Sequence, residues 1–327
     1  MLKVAREAGV SLMTVSRALR GHPSVLPATR RKVQAVAARL GYRPDPKVSN
    51  LMGYLRRRRL SGPETIAWIT SHSTKDGWKA VPYLAELFAG AFSRADGLGY
   101  HLEPFWLEEP GMSDLRMSNI LRSRGVRGLI MAPLEHSRRV DLAWENFASA
   151  TCGHSLTEPK IHRASNHQYH AMQVAWTTLR AQGFQRIGLV LTYEADLRME
   201  GMWRAGFLFK QEEVPAHDRV PVLLTKNWEP GLIETWYQHY RPDAIISSNR
   251  VVDALMRINV HVPDHVAFAN FNSLDAGDYA GVDHHMMEIG AAAVDLVAEQ
   301  LNAGRFGLPP TPKTVMIESG WHPAKWP

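Results

Sequence analysis

The sequence predicts a small all-α head followed by a larger α/β body of two lobes. Amphipathic helical patterns separated by glycine-containing turns fill the first 45 residues. Between residues 63 and 327, short apolar runs rich in β-branched residues alternate with amphipathic helical stretches. Such alternation is typical of parallel sheets with helices on both faces. The length of this region exceeds that of one ordinary sheet domain, and this favours two lobes.

Positive charge is concentrated at the N-terminus. Residues 1–60 contain 14 Lys or Arg and two acids, a net charge of +12, whereas the whole chain of 327 residues carries +6 and residues 61–327 therefore carry −6. A basic segment attached to a mildly acidic body is electrostatically complementary to the phosphates of duplex DNA. The charge distribution therefore predicts double-stranded DNA as a partner of the head.

Two short helices are predicted at the start of the chain. The first spans Leu2 to Ala8 and ends at Gly9, because glycine tolerates the positive φ of a helix C-cap. Ser11 is a suitable N-cap for the second helix. Helical spacing divides that helix into an inward stripe of Val15, Ala18 and Leu19 and an outward face of Leu12, Met13, Ser16 and Arg17.

A third helix is predicted from Pro27 to just before Gly41. Its predicted buried stripe consists of Val33, Val36, Ala37 and Leu40. A helix, a short glycine-containing turn and a second helix form the helix-turn-helix arrangement, in which the second helix enters the major groove of DNA. We therefore assign residues 1–45 to a helix-turn-helix head.

Two stretches of the head, VAREAGVSLMTVSRALRGHPSV and TRRKVQAVAARLGYRPDP, resemble the head of the LacI/GalR family of bacterial repressors over residues 2–46. The resemblance implies base-edge contacts for Leu12, Met13 and Arg17, and contacts with phosphates or adjacent bases for Ser11, Thr14 and Ser16. Arg20 departs from the family, which usually has a small polar residue there, and this predicts an added phosphate contact. Arginine suits a bidentate contact to guanine, and apolar side chains suit thymine methyl groups. Packing is the alternative for the two apolar residues, and a plain phosphate contact is the alternative for Arg17.

Residues 46–62 are predicted to be a hinge, because two prolines end the third helix. A helix within this segment would be too short to be stable alone in water. In the resembling family, the hinge folds on DNA and inserts a leucine into the minor groove, which implies this role for Leu51. An apolar wedge of this kind kinks the duplex. Packing of Leu51 against the body is the alternative.

In the body, strands are predicted at residues 65–70, 128–132, 186–192, 244–247 and 266–271, and helices at residues 83–98, 115–124, 171–182 and 231–240. The stretches GFQRIGLVLT and RPDAIISSN resemble the effector domain of the same family. That domain has the periplasmic-binding-protein type I architecture, with a ligand between two Rossmann-like lobes. The resemblance implies this fold and dimerisation for residues 63–327, with chain crossings between lobes near residues 183, 285 and 315.

Candidate effector-binding residues follow from the position of ligands in open α/β sheets, at the carboxyl ends of the strands. This rule selects Ser71, Trp203, Asn249 and Asn272, and alignment with the family adds His170 and Trp228. Sugar-binding relatives often carry charged residues where this chain has His170, Trp203 and Asn272. An aromatic face suits a sugar ring or a planar heterocycle. The resemblance favours a carbohydrate effector.

Other chemistries find little support in the sequence. The close histidine pairs at 167/170 and 284/285 lack a Cys, Asp or Glu partner at ligand spacing, so no metal site is expected. Phosphate-cradling, dinucleotide-binding and nucleophile-elbow motifs are absent from the sequence, which predicts no cofactor and no enzymatic activity. The single cysteine, Cys152, fits a reducing compartment. No apolar run approaches the roughly 18 residues of a membrane helix, and the N-terminus lacks the pattern of a secretion signal, so a cytoplasmic, nucleoid-associated bacterial protein is expected.

The sequence thus predicts a homodimeric transcription regulator, in the role of a repressor. Two heads would bind the half-sites of a near-palindromic operator, since a two-fold dimer requires two-fold DNA. A small molecule bound between the lobes would control the affinity for the operator. The alternative is a cytoplasmic small-molecule receptor that binds DNA only non-specifically, because Leu12 and Met13 are not polar base readers.

Overall fold

The computed structural model describes residues 1–19, 24–42 and 63–324. The chain divides into two compact units, residues 1–63 with 302–305 and residues 64–301 with 306–327. The first contains the head and the second contains the body. The predicted hinge residues 46–62, with Leu51, lie outside the described residues, as does Arg20.

The head consists of three helices, α1 (Leu2–Ala8), α2 (Leu12–Leu19) and α3 (Pro27–Arg39). Gly9 ends α1 in the left-handed region with φ 64°, as the C-cap prediction required. The three helices and the segment before α3 supply an apolar core of Val4, Ala5, Ala8, Val15, Ala18, Val25, Val33 and Ala37. Leu40, predicted to be buried, is 37% exposed because it follows the last helical residue and no longer lies on the buried stripe.

The first lobe of the body is built on a parallel six-stranded sheet with the order β11-β5-β4-β3-β1-β2. Its strands are β1 (Glu64–Thr70), β2 (Tyr100–Trp106), β3 (Gly128–Met131), β4 (Ala148–Cys152), β5 (His162–Asn166) and β11 (Thr314–Ile317). Its helices are α4 (Pro82–Gly97), α5 (Asp114–Ser123) and α11 (Met286–Ala303). Strand β1 alternates as a central strand should: Ile66 and Trp68 pack on the α4/α11 side, and Ala67 and Ile69 pack on the α5 side.

The second lobe repeats this plan with the order β12-β10-β9-β8-β6-β7, in which only the β10–β12 pair is antiparallel within the described sheet. Its strands are β6 (Ile187–Thr192), β7 (Leu223–Thr225), β8 (Ala244–Ser247), β9 (Ala267–Asn270), β10 (Ala280–Asp283) and β12 (Gly320–His322). Its helices are α6 (Gln168–Ala181), α7 (Tyr193–Arg198), α8 (Met202–Gln211), α9 (Pro230–Tyr240) and α10 (Arg250–Met256). Separate apolar clusters lie on the two faces of the sheet.

The chain passes between the lobes three times. The passages lie between β5 and α6, between β10 and α11, and between β11 and β12. The first therefore lies at His167, earlier than the position near residue 183 that the sequence suggested, because α6 packs in the core of the second lobe. The other two lie at residues 284–285 and 318–319, close to the suggested 285 and 315.

Candidate functional site

Helix α2 presents a distinct outward face. The Oγ of Ser11 accepts a hydrogen bond from the backbone N–H of Thr14 at 3.1 Å and lies 2.9 Å from its Oγ1, which fixes the start of the helix. Leu12 and Met13 are 44% and 59% exposed, although both are large and apolar. Arg17 is exposed one turn further on, whereas Ser16 is half-buried. The helix thus offers an apolar pair and a cation on one accessible surface.

The described part of the head is strongly basic. Among residues 1–19 and 24–42, seven Lys or Arg accompany one acid, Glu7, which forms an ion pair with Arg39. Exposed cations lie on all three helices, α1, α2 and α3. This surface can attract a polyanion through charge and contact it through α2.

The body contains a cavity of about 210 Å³ at the level where the chain passes between the lobes. Side chains from the first lobe, the second lobe and the passages line it together. The lining residues are Tyr83, Leu87, Pro133, Leu134, Cys152, Gly153, His154, Ser155, Ser165, Asn166, Gln168, Arg198, Met199, Trp203, Phe271, Asn272, His284, Met286 and Ile289. Most of them lie at or just beyond the carboxyl ends of strands, where open α/β sheets bind ligands.

Two of the six candidate effector residues line this cavity, namely Trp203 and Asn272. The other four have different surroundings. Ser71 is buried at the end of β1, and Trp228 packs partly buried against the outer cluster of the second lobe. His170 Nδ1 accepts a hydrogen bond from the Ser319 N–H at 3.3 Å, and the Asn249 amide bonds to the Asp275 carbonyl and the Asn270 side chain.

Sequence reasoning missed the cavity residues that follow β4 and β5. His154 and Ser155 come directly after β4, and Ser165 lies near the end of β5. The same strand-end rule would have selected them, but both strands are short and contain small or polar residues instead of a β-branched run. Their strand character therefore depends on pairing within the parallel sheet.

A polar cluster connects the two lobes beside the cavity. His154 Nδ1 lies 3.0 Å from Arg163 Nη1 and 3.3 Å from the Oε1 of Glu200, which belongs to the second lobe. Arg163 Nη1 also donates to Glu200 Oε1 at 3.4 Å. Burial and then the positive charge of Arg163 lower the pKa of His154, so the ring is neutral near pH 7. The cluster joins the lobes on one side of the cavity.

Trp203 forms the second-lobe wall of the cavity and is only 1% exposed. Its Nε1–H donates to the Oε1 of Gln168, whose Nε2 donates to Asn166 Oδ1 at 2.9 Å. The indole ring also packs edge-on against Phe271, with ring centroids 4.8 Å apart. Trp203 therefore connects the cavity to the first passage between the lobes.

The passages are also linked to each other. His284 Nδ1 lies 3.1 Å from Ser319 Oγ, and the Ile317 carbonyl accepts a hydrogen bond from the His167 N–H at 2.8 Å. Burial of the imidazole lowers the pKa of His284 to about 4. A neutral His284 is thus part of the folded arrangement of the three passages.

The depressed pKa of His284 predicts a pH dependence of stability. In the unfolded chain the imidazole titrates near its ordinary value of about 6.5. As the pH is lowered from 6.5 to 4, the unfolded state binds the proton before the folded state does. The free energy of unfolding should therefore decrease as the pH is lowered, by up to about 3 kcal/mol from this residue. Above pH 7 the contribution of His284 to the free energy of unfolding should not change with pH. Denaturant unfolding at pH 7 and pH 4.5 measures the loss.

The variant His284→Gln should lose less stability over this pH range than the unmodified protein. His217, whose side chain is 80% exposed, provides the matched control, because His217→Gln should leave the pH dependence unchanged. Equal pH slopes for the His284 variant and the unmodified protein would contradict the assignment.

Three further observations concern metal binding, the single cysteine and membrane helices. Within residues 1–19, 24–42 and 63–324, no group of three His, Cys, Asp or Glu is placed to hold a metal ion. Burial raises the pKa of the Cys152 thiol, which disfavours the thiolate. None of the helices in the described part of the chain is long and apolar enough to cross a membrane.

The fold, the outward face of α2 and the cavity of the body define a class of protein. In this class a helix-turn-helix head precedes a periplasmic-binding-protein-like body. Residues 1–45 match the family described as "Bacterial regulatory proteins, lacI family". The chain therefore carries a lacI-family helix-turn-helix domain at its N-terminus.

Individual proteins are similar to the head in sequence or to the whole chain in fold. Catabolite control protein A of Priestia megaterium is 60% identical over 42 residues, an alignment that spans 13% of each chain. Among solved structures, a transcriptional regulator CelR–cellobiose complex is 18% identical with a TM-score of 0.58, and it covers 99% of this chain and 98% of its own. A lac repressor dimer bound to operator and the anti-inducer ONPF is 18% identical with a TM-score of 0.57 and the same coverage. At these identities the structural likeness concerns the fold.

Proposed function

We propose that the protein is a DNA-binding transcription regulator whose affinity for a near-palindromic operator is controlled by a small molecule in the body cavity. The observation that carries the proposal is the accessible face of α2, with Leu12, Met13 and Arg17 exposed together on a strongly basic head. Solvent-exposed apolar side chains on a short helix are unexplained in a free head but suit contact with base edges. Arg17 would read guanine, and Ser11, Thr14 and Ser16 would contact phosphates or neighbouring bases.

The cavity supports control by a ligand. Residues of both lobes and of the passages between them line it, so a ligand there would contact both lobes at once. A ligand that favours one arrangement of the lobes shifts the population toward it, and DNA and ligand affinities are then reciprocally coupled. The predicted hinge at 46–62, with Leu51 as a minor-groove wedge and Arg20 as a phosphate contact, completes this hypothesis.

Relatives support the remaining features of the proposal. A lac repressor is a dimer on its operator, and a regulator of similar fold binds cellobiose. We extend dimerisation and a repressor role to this chain by analogy, and the carbohydrate effector stays a prediction of the sequence. Because the family consists of regulatory proteins, we propose no reaction.

Selection of bound duplexes from a random library, followed by footprinting, tests the proposal. We expect one near-palindromic sequence to be enriched and protected. The ratio of specific to non-specific affinity at fixed salt should reach at least about 10³. A ratio near one at every salt concentration would instead support the second candidate, a small-molecule receptor with non-specific DNA binding, which the apolar character of Leu12 and Met13 favours.

Arg17→Ala is expected to relax the base preference at one position of each half-site, at a cost of about 1–3 kcal/mol. Arg31→Ala, an exposed cation on α3, is the matched control. It should weaken binding to all sequences alike and reduce the salt dependence. Competition binding against single-base operator variants measures both effects. A uniform loss for Arg17→Ala would reassign that residue to the phosphate backbone.

A further inference from the structure

Glu200 of the second lobe reaches two side chains of the first lobe. It lies in the turn between α7 and α8, and its Oε1 is 3.4 Å from Arg163 Nη1 and 3.3 Å from His154 Nδ1. Arg163 belongs to β5, and His154 follows β4, so both contacts cross from one lobe to the other. Side chains therefore join the lobes here, in addition to the three passages of the backbone.

The two halves of this contact differ in exposure. The Arg163 side chain is 14% exposed, whereas that of Glu200 is 59% exposed. A guanidinium that has lost most of its hydration is destabilised unless an anion compensates its charge. A half-exposed carboxylate, by contrast, stays hydrated when it is alone. Separation of the lobes would therefore deprive Arg163 of the carboxylate that compensates its charge, and this favours the arrangement in which the two groups meet.

His154 orients the guanidinium toward Glu200. Arginine has only donors, so the Nδ1 of the neutral imidazole, 3.0 Å away, accepts a hydrogen bond from Arg163 Nη1. The same Nη1 carries a second hydrogen, which it donates to the Oε1 of Glu200. His154 thus acts within the first lobe as a positioning residue, and the ion pair of Arg163 with Glu200 is the contact between the lobes.

The backbone of Glu200 provides a second, independent observation. Its φ of 52° lies in the left-handed region, which glycine adopts without strain but other residues rarely do. The turn is fixed to the second lobe, because the N–H groups of Glu200 and Gly201 donate to the carbonyls of Leu197 and Asp196. Strained residues of this kind persist at clamps and switches, where a contact of the side chain offsets the strain. The contacts of the carboxylate with the first lobe account for a glutamate at this position.

We propose that Glu200 and Arg163 form an ionic latch that holds the two lobes in the arrangement seen here, with His154 positioning the guanidinium. Opening of the body bends the three passages and breaks both contacts of Glu200. High ionic strength weakens the latch and opens the body. The latch is a property of the body alone, and only its effect on operator affinity rests on the proposed function.

Double electron–electron resonance on the full chain measures the distance between the lobes. Asn119→Cys on α5 and Thr177→Cys on α6 provide one exposed labelling site on each lobe. Cys152 is buried and does not compete for the spin label. The labelled chain is mixed with an excess of unlabelled chain, so that the measured distances arise within one chain.

Two substitutions of Glu200 test the ion pair. Glu200→Gln keeps the shape of the side chain without its charge, and Glu200→Lys places a cation opposite Arg163. We expect a population in which the lobes are more than about 2 Å further apart. This population should rise about two- to tenfold in Glu200→Gln and further in Glu200→Lys. Distance distributions of both variants that coincide with that of the unmodified chain overturn the latch.

Glu213→Gln is the matched control. The Glu213 side chain is 55% exposed and pairs with Lys210 Nζ at 2.9 Å, but this ion pair lies within the second lobe. Its loss should leave the distance between the lobes unchanged. An equal change of distance in the Glu213→Gln and Glu200→Gln variants would also overturn the proposal.

Ionic strength gives a readout that a role of Glu200 in packing alone would not change. Raising the salt concentration from about 0.1 M to about 1 M screens a half-exposed ion pair. The unmodified chain should then approach the distance distribution of Glu200→Gln, which should itself respond little. In Glu200→Lys, salt should reduce the open population, because it screens a repulsion. The same salt response in the unmodified chain and in Glu200→Gln would contradict the latch.

The outcome is separable from that of the proposed function, because the distance is measured without DNA or ligand. A salt-sensitive latch without sequence-selective DNA binding would reject the regulator and keep the latch. Sequence-selective DNA binding by a chain whose lobe distance responds neither to salt nor to the substitutions of Glu200 would reject the latch and keep the regulator.

Discussion

Replacing Gly290 by alanine is expected to lower the free energy of unfolding by about 4 kcal/mol or more. Helices α4 and α11 approach each other closely through two glycines. A Cβ at Gly290 would lie 2.0 Å from the Leu87 carbonyl oxygen, and a Cβ at Gly90 would lie 2.0 Å from the Met287 carbonyl oxygen. Because the clashing atoms belong to the backbone, the two helices must move apart. The side chains packed between α4 and α11 then lose van der Waals contacts with each other.

Urea unfolding of Gly290→Ala and of Gly97→Ala measures this effect with an internal control. Gly97 ends α4, and a Cβ there meets no atom within 4 Å, so its substitution should be neutral or stabilise by up to about 1 kcal/mol. Since Leu87 and Ile289 line the cavity, Gly290→Ala should also impair ligand binding. A Gly290 variant as stable as the Gly97 variant would disprove the close approach of the helices.

Trp203→Ala is expected to cost about 3–5 kcal/mol of unfolding free energy, the usual range for deletion of a buried aromatic side chain. The substitution removes the ring from the second-lobe core and its packing against Phe271. It also leaves the Gln168 Oε1 without its indole donor. Trp203→Phe should retain most of the packing but lose the hydrogen bond, at a smaller cost of about 1–3 kcal/mol.

Trp236→Ala separates stability from ligand binding. Trp236 is also buried in the second lobe, and its Nε1–H donates to the Pro221 carbonyl at 2.8 Å, but it lies in the outer cluster away from the cavity. Both alanine variants should be destabilised to a similar degree in urea. Only the Trp203 variant should lose affinity for a cavity ligand; equal losses would contradict its place in the cavity wall.

The elements with strong periodicity were predictable from the sequence. The three head helices and the strands at β1, β3, β6, β8 and β9 lie where the pattern predicted them, within about two residues, because each buries a face whose spacing is visible in the chain. Strands β2, β4, β5, β7, β10, β11 and β12 were not among the predicted strands. Strand β2 contains Pro104, and β4 and β5 are formed mainly by small and polar residues, so these three depend on their place in the sheet to be strands.

The candidate sites were predictable to different degrees. The outward face of α2 follows from helical spacing within eight residues, and the structure exposes Leu12, Met13 and Arg17 as that spacing requires. The cavity is assembled from segments far apart in the chain, and only Trp203 and Asn272 of six candidates line it. His154 and Ser165 escaped notice because nothing local distinguishes them from other polar residues.

The sequence by itself determined a basic three-helix head, a body of alternating strands and helices, and the surface of α2, since charge and periodicity are properties of neighbouring residues. Only the tertiary structure decided where the chain passes between the lobes, which glycines allow α4 and α11 to meet, and which residues from distant segments line the cavity. Those features depend on contacts between residues separated by tens to hundreds of positions. A hydrogen bond is either made or missing only after the whole body has packed.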